Sequence, residues 1–296
     1  MPPSTAAGPV LRGSNLTIDS IIAPTNASSR RTKIMCTMGP ACWEVPQLEQ
    51  LIEAGMSVAR FDFSHGDHDG HLACLNRLRE AARNKKKDIA VMLDTKGPEI
   101  VTGLLSSETI SLRKGATLIL TSDYSHEGDS QKLAVNYPSL ASVSDGQTIL
   151  IDDGKLELTV LSVGEGEVSC RIETNAEIGA KSTVHFPGMP VDVPTLTEKD
   201  IDDIQNWGCK HGVDFIAASL IRKASDISTV RTALSTHPKT KIISKIENLE
   251  ALQNYQSILS ATDGVMICRS SLGIEIPPEK VFLAQKKLIR EANIAG

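Results

Sequence analysis

Between Lys33 and Asp94 short apolar runs alternate with amphipathic stretches, and that alternation constrains the fold more than any other feature of the chain. Lys33-Ile-Met-Cys-Thr-Met-Gly39 is brief, apolar and closed by Gly39-Pro40, as expected of a strand buried on both faces of a parallel sheet. The pattern predicts a helix over 46–54 with Gly55 as its stop, and a second strand over 57–64. An amphipathic helix over 72–84 then runs into the solvated Lys85–Lys87, and a third strand covers 89–94. Strands that alternate with helices are parallel and covered by them, because each parallel connection must cross the sheet and return.

From about Gly97 to Pro190 the rhythm breaks. Short runs at 148–151, 156–163 and 168–172 lie between turns such as Asp152-Asp153-Gly154 and Gly164-Glu165-Gly166, which predicts an all-β insertion. From Thr197 the first rhythm returns, with a helix over 198–207 and strands over 215–220, 242–246 and 265–268. The expected fold class is therefore α/β: an incomplete (β/α)8 TIM barrel with an inserted all-β lid domain. The division is a flexible N-terminal tail over 1–31, barrel over 32–96, lid over 97–190 and barrel again over 191–296.

Composition excludes several classes of function. No apolar run approaches the roughly 18 residues a membrane span needs. Lys plus Arg number 31 against 36 for Asp plus Glu, a net charge of −5, and aromatic residues are 3% of the chain, so neither a basic surface nor stacking rings are available for nucleic acid. Six scattered cysteines with no CxxC pair suit a reducing, cytoplasmic location. The segment 1–20 lacks the continuous apolar core of a signal peptide, so the sequons at Asn15 and Asn26 read as accidental; a transit peptide is the alternative to a simple tail.

The strand ends carry the chemistry. Alternate residues of a strand share a face, so Arg60, Asp62 and Ser64 point together while Ala59, Phe61 and Phe63 point the other way. The third strand exits through Asp94-Thr95-Lys96, and Lys245 and Glu247 stand two apart on a later one. Burying such charges is costly, and barrel enzymes place reactive groups at strand exits. Cations opposite carboxylates suit an anionic phosphorylated ligand beside a divalent metal, with Glu247 holding the metal and Lys245 facing the developing oxyanion. A structural ion-pair network is the plain alternative. No P-loop or kinase-type glycine loop is present.

Five blocks then carry a family resemblance: Thr32–Ala41, Ala54–Gly66, Leu93–Ile100 (Leu-Asp-Thr-Lys-Gly-Pro-Glu-Ile), Leu196–Asp200 and Ser244–Asn248 (Ser-Lys-Ile-Glu-Asn). In order and spacing they resemble pyruvate kinase, over about 32–296. The resemblance implies phosphoryl transfer from phosphoenolpyruvate to ADP, giving pyruvate and ATP in glycolysis, with Mg2+ and K+. It implies that Arg60 grips the phosphoryl group, Lys245 stabilises the transition state and Glu247 binds Mg2+. Asp62, Ser64, Asp94 and Thr95 would hold K+; Ser270 and Ser271 would bind substrate; Lys181 and His65 would contact the nucleotide. A homo-oligomer, tetrameric in the family, is also implied.

The chain departs from the family at three positions. Cys268-Arg-Ser-Ser-Leu-Gly273 has Ser271 where the family has a magnesium carboxylate, Asp62 stands where asparagine is usual, and Val101 replaces an arginine near the nucleotide phosphates. The sequence also stops at Gly296, short of the family's last barrel strands and C-terminal domain, which predicts a barrel with two open edges. A catalytically impaired paralogue or fragment that binds ligand or partner subunits is therefore the alternative to an active kinase; a metal-dependent lyase of similar fold suits the lid and the 93–100 block less well. The cluster His65, His68 and His71 reads as a strand exit and helix start rather than a zinc site, and Cys36, Cys268, Met35, Met38 and Met56 read as packing residues.

Overall fold

The structure is a computed structural model that describes residues 18–24, 30, 32–234 and 237–296. The expected tail, with both sequons, lies almost wholly outside these; its described part holds a five-residue helix, α1 (Ile18–Ile22), with exposed isoleucines.

The barrel begins with β1 (Ile34–Thr37), α2 (Val45–Glu53), β2 (Met56–Asp62), α3 (His68–Lys85) and β3 (Ala90–Asp94). The α3 helix starts four residues before its apolar period does. Asp67 caps it, the side chain accepting from the Gly70 N–H at 2.8 Å, so a polar first turn is held by the cap rather than by packing. The insertion follows, with β4 (Thr109–Leu112), β5 (Thr117–Thr121), β6 (Lys132–Ala134), β7 (Thr148–Ile151), β8 (Leu156–Val163), β9 (Glu167–Ile172), β10 (Ala176–Gly179) and β11 (Val184–His185). The chain returns through α4 (Glu198–Asp202), β12 (Phe215–Ala218), α5 (Ala224–Ala233), β13 (Lys241–Ile246), α6 (Leu249–Gln253), α7 (Tyr255–Ala261), β14 (Gly264–Ile267), α8 (Arg269–Glu275) and α9 (Val281–Ala295).

The barrel strands form one parallel six-stranded sheet in the order β1-β2-β3-β12-β13-β14, so consecutive strands are neighbours on either side of the insertion. The insertion builds a separate six-stranded sheet, β11-β7-β8-β9-β5-β6, and a two-stranded one, β10-β4. Each body has its own apolar core. Phe61, Phe63, Leu75, Leu93 and Trp207 centre one; Leu118, Leu120, Leu133, Ile149 and Leu158 centre the other.

Two expectations are corrected. Met35 is not core: it is 39% exposed, because β1 is an edge strand with no neighbour among the described residues to cover that side, whereas Met38 and Met56 are buried. The single helix expected over 198–207 is α4 passing into a π-helical segment, Asp203–Cys209. A capping box at Thr197 and Asp200 starts it normally. The wider turn then buries Asp203, Ile204 and Trp207 together, with Asp203 held by His68 at 2.8 Å and by Lys199 at 2.6 Å.

The neck into the lid is tight. Gly97 has φ of +77°, its N–H donates to the buried Asp200 carboxylate, and a Cβ placed there would lie 2.8 Å from that of Ser219. Gly97→Ala is expected to cost about 2–4 kcal/mol, combining left-handed strain with the clash. Gly115→Ala, at φ of +87° but with nothing within 4 Å, should show the strain alone, about 1–2 kcal/mol. Urea-denaturation midpoints of the two variants test this; equal losses would remove the clash from the account.

Candidate active site

The parallel register brings the charged strand ends together. Thr37 pairs with Arg60, Asp62 with Asp94, and Lys245 lies on β13, the strand after β12. The pleat sends Ala59, Phe61 and Phe63 under the helices, all nearly fully buried, and leaves Arg60 and Asp62 half-buried on the opposite side. Asp94, with no exposed surface, is the hub. Its Oδ2 accepts from Arg60 Nε at 2.5 Å, and its Oδ1 lies 3.1 Å from Lys245 Nζ.

Each cation has further partners. Arg60 also donates to Asp62 at 3.0 Å and to the Thr37 hydroxyl at 2.8 Å. Lys245 donates to Ser219 Oγ at 2.8 Å and stands 3.4 Å from Glu247 Oε1. The other Glu247 oxygen accepts from the N–H of Leu220 at 2.7 Å, a residue held at a left-handed φ of +54°. Burial disfavours the charged form of both cations. The carboxylates outweigh it: Asp94 and Asp62 hold Arg60 above its ordinary pKa, and Glu247 and Asp94 do the same for Lys245. Both are cationic at any physiological pH.

These groups open onto a cavity of about 470 Å3 whose opposite wall is the lid. Arg60, Asp62, Ser64, Lys245, Glu247, Ser270 and Ser271 line it from the barrel; Asp153, Thr183 and His185 line it from the lid. Asp94 and Thr95 are buried behind the wall. Thr95 Oγ1 accepts from the Ser219 N–H, and the Asp62 carboxylate accepts from the Ser64 N–H. Of the residues singled out in the sequence, His65 and Lys181 are not in the lining: both are exposed, and Lys181 sits in a turn at φ of +57°.

Of the three histidines at 65–71, His68 meets Asp202 and Asp203, with ligand atoms within 4.8 Å. His71 instead bonds the His65 carbonyl and stacks on Phe63 at 4.4 Å between ring centres. Cys268 is half-buried, and burial with Glu247 nearby pushes its thiol pKa far up, as suits a packing residue.

Several lining residues escaped the sequence reading. Ser219 and Leu220 directly follow β12, so the rule that barrel chemistry sits at strand exits points to them. Glu99 and Glu275 carry no such signal. Burial raises the Glu99 carboxyl, with Lys96 opposing and Glu247 adding to it. Burial pushes Glu275 up to about 6, while the backbone N–H groups of Leu249 and Gly188 hold its charged form.

The donor chemistry fits hard cations. Glu247 keeps one oxygen toward the cavity and fits one carboxylate ligand of Mg2+, while Ser271 brings no second anion. Asp62 and Ser64 supply the rim oxygens a monovalent ion would use, and Arg60 occupies part of the Asp62 carboxylate.

Fold and site together define a lidded α/β-barrel protein that holds cationic side chains and carboxylates against one cavity. The family model described as the pyruvate kinase barrel domain matches residues 29–296. Pyruvate kinase from Eimeria tenella is 48% identical over 273 residues, covering 91% of this chain and 51% of that protein. The cytosolic pyruvate kinase isozyme of Glycine max is 46% identical over 290 residues, covering 95% and 57%. The crystal structure of a pyruvate kinase from Cryptosporidium parvum superposes with a TM-score of 0.90 at 42% identity, covering 95% of this chain and 59% of that one. The chain belongs to the pyruvate kinase family, and it spans about half the length of the curated relatives it matches.

Proposed function

We propose that this cavity serves phosphoryl transfer from phosphoenolpyruvate to ADP, giving pyruvate and ATP, with Mg2+ and K+ in attendance. The observation that carries the reading is the buried Asp94 holding Arg60 and Lys245 side by side at the rim, with Glu247 3.4 Å from Lys245. Arg60 and Lys245 neutralise the phosphoryl group and the enolate left when it departs. Glu247 anchors Mg2+, which supplies charge neutralisation at the phosphoryl oxygens. Asp62, Ser64, Asp94 and Thr95 offer oxygens toward K+. Ser270 and Ser271, in the first turn of α8, present backbone N–H groups to the substrate carboxylate. The lid closes over the nucleotide and excludes water, with Lys181 of the lid and His65 of the barrel rim as outer contacts of the nucleotide. The setting is cytoplasmic, in a homo-oligomer; no helix among the described residues is long and apolar enough to cross a membrane.

Ser271 favours a second reading, binding with impaired turnover, because a neutral hydroxyl replaces an anion at the metal. Isothermal titration calorimetry with phosphoenolpyruvate and a coupled assay for pyruvate test both. The expected result is saturable binding that needs Mg2+ and is lost in Lys245→Met, with ADP-dependent pyruvate formation far below that of the relatives. No binding by the unmodified chain would overturn the proposal; turnover at a relative's rate would overturn the impairment.

A further inference from the structure

The lid returns to the barrel through a short linker in which the two bodies meet. Val191 and Val193 pack against the apolar core of the lid, and the Asp192 N–H donates at 3.2 Å to the hydroxyl of Tyr137, a buried lid residue. Thr195 belongs to the other side: its hydroxyl donates at 3.0 Å to Asp226, buried in the first turn of α5 in the barrel. The chain therefore passes from lid to barrel at Pro194, as it passes from barrel to lid at the tight neck around Gly97.

Arg222 reaches across that boundary. It lies just beyond β12, is 7% exposed, and its Nη1 donates at 2.8 Å to the Val191 carbonyl, on the lid's side of Pro194. Burying a guanidinium is costly, and its ion pair with Asp226 does not explain the place it takes. Its Nε stands 3.5 Å from Asp226 Oδ2 and has no hydrogen-bond partner among the described residues, while that oxygen accepts from the backbone N–H groups of Arg222 and Lys223. The hydrogen bond goes to the linker instead. The Asn254 amide donates to the Arg222 carbonyl at 3.0 Å, so the guanidinium projects from a tethered backbone. From α8, Glu275 meets the same linker at the Gly188 N–H.

We propose that Arg222 is the residue that positions the lid over the cavity, its hydrogen bond to the Val191 carbonyl latching the lid in the pose that makes the far wall. The purpose of the latch rests on the reading of the cavity as a phosphoryl-transfer site, since a lid that excludes water must be held in register with Arg60 and Lys245. Val191 moves with the lid core and Arg222 stays with the barrel, so a swing about the two necks breaks this bond.

Spin-label distance measurement on the ligand-free protein reads the pose directly, with non-cysteine nitroxide residues in place of the exposed Glu165 on the lid and Glu80 on the barrel. The unmodified chain is expected to give one narrow distance. Arg222→Met should raise a longer-distance population roughly tenfold relative to the docked one, the worth of one hydrogen bond from a charged group. Arg222→Lys, which keeps a cationic donor, should recover part of the docked population. Asp226→Asn removes the charge partner of Arg222 and leaves its bond to Val191, so it should lower the urea midpoint yet keep the docked distance. Unchanged distances in Arg222→Met overturn the inference. So does an Asp226→Asn lid that swings as far, which would make the ion pair the cause. Arg222→Gln, which falls short of the Val191 carbonyl, gives the same comparison should the methionine variant not fold. Because no ligand is present, failure here leaves the phosphoryl-transfer reading standing; absent phosphoenolpyruvate binding by a chain with its lid docked overturns that reading alone.

Discussion

Ser271→Asp is expected to tighten Mg2+ binding by about tenfold to a hundredfold, the range for adding one charge-assisted contact at a partly buried site. Ser271 lines the same cavity as Glu247, in the first turn of α8, where an added carboxylate also meets the positive end of the helix. Magnesium dehydrates reluctantly and gains most from a second anion already in place. A Mg2+ titration in the presence of phosphoenolpyruvate measures the effect. In a chain extended to the relatives' length, the same substitution should raise Mg2+-dependent pyruvate formation. Unchanged Mg2+ affinity would move the defect away from position 271, with Val101→Arg the next variant to examine.

The second large effect concerns Asp94. Removing it takes away the buried carboxylate that two half-buried cations share; breaking a buried pair costs about 3–5 kcal/mol, and because Arg60 keeps Asp62 and Lys245 keeps Glu247 the loss falls at the lower end of that range. Asp94→Ala should therefore lower the urea midpoint sharply. Asp62→Ala removes a contact to the same Arg60, but from a position a quarter exposed, and should cost about 1 kcal/mol or less. Similar losses in the two variants would show that the cluster is solvated and that Asp94 is no hub. The contrast separates the carboxylate that organises the site from the one that trims its edge.

Much of this arrangement was legible in the chain. The lid strands β7 and β8 were read with their observed bounds, and the barrel strands to within two residues, because a buried strand shows its apolar run or alternation locally. The pleat likewise separated Arg60 and Asp62 from Phe61 and Phe63. What escaped has a common cause. The π-helical segment places Asp203 against His68, 135 residues earlier, and Met35 is exposed because of its strand's place at the sheet edge. Neither is a property of the local sequence. His185, on the lid strand β11, and Glu275, at the end of α8, line the cavity through tertiary packing that no local pattern announces.

By itself the sequence settled which residues carry charge at the strand exits and that a β insertion interrupts the rhythm, since side-chain alternation and apolar period act over a few residues. Tertiary structure decided which of those charges meet. Register across β2, β3, β12 and β13 makes Asp94 the shared partner of Arg60 and Lys245, and the lid's docking brings Asp153, Thr183 and His185 into the same cavity lining. Such pairings depend on the relative placement of segments far apart in the chain, which hydrogen-bonded sheet order and core packing set together.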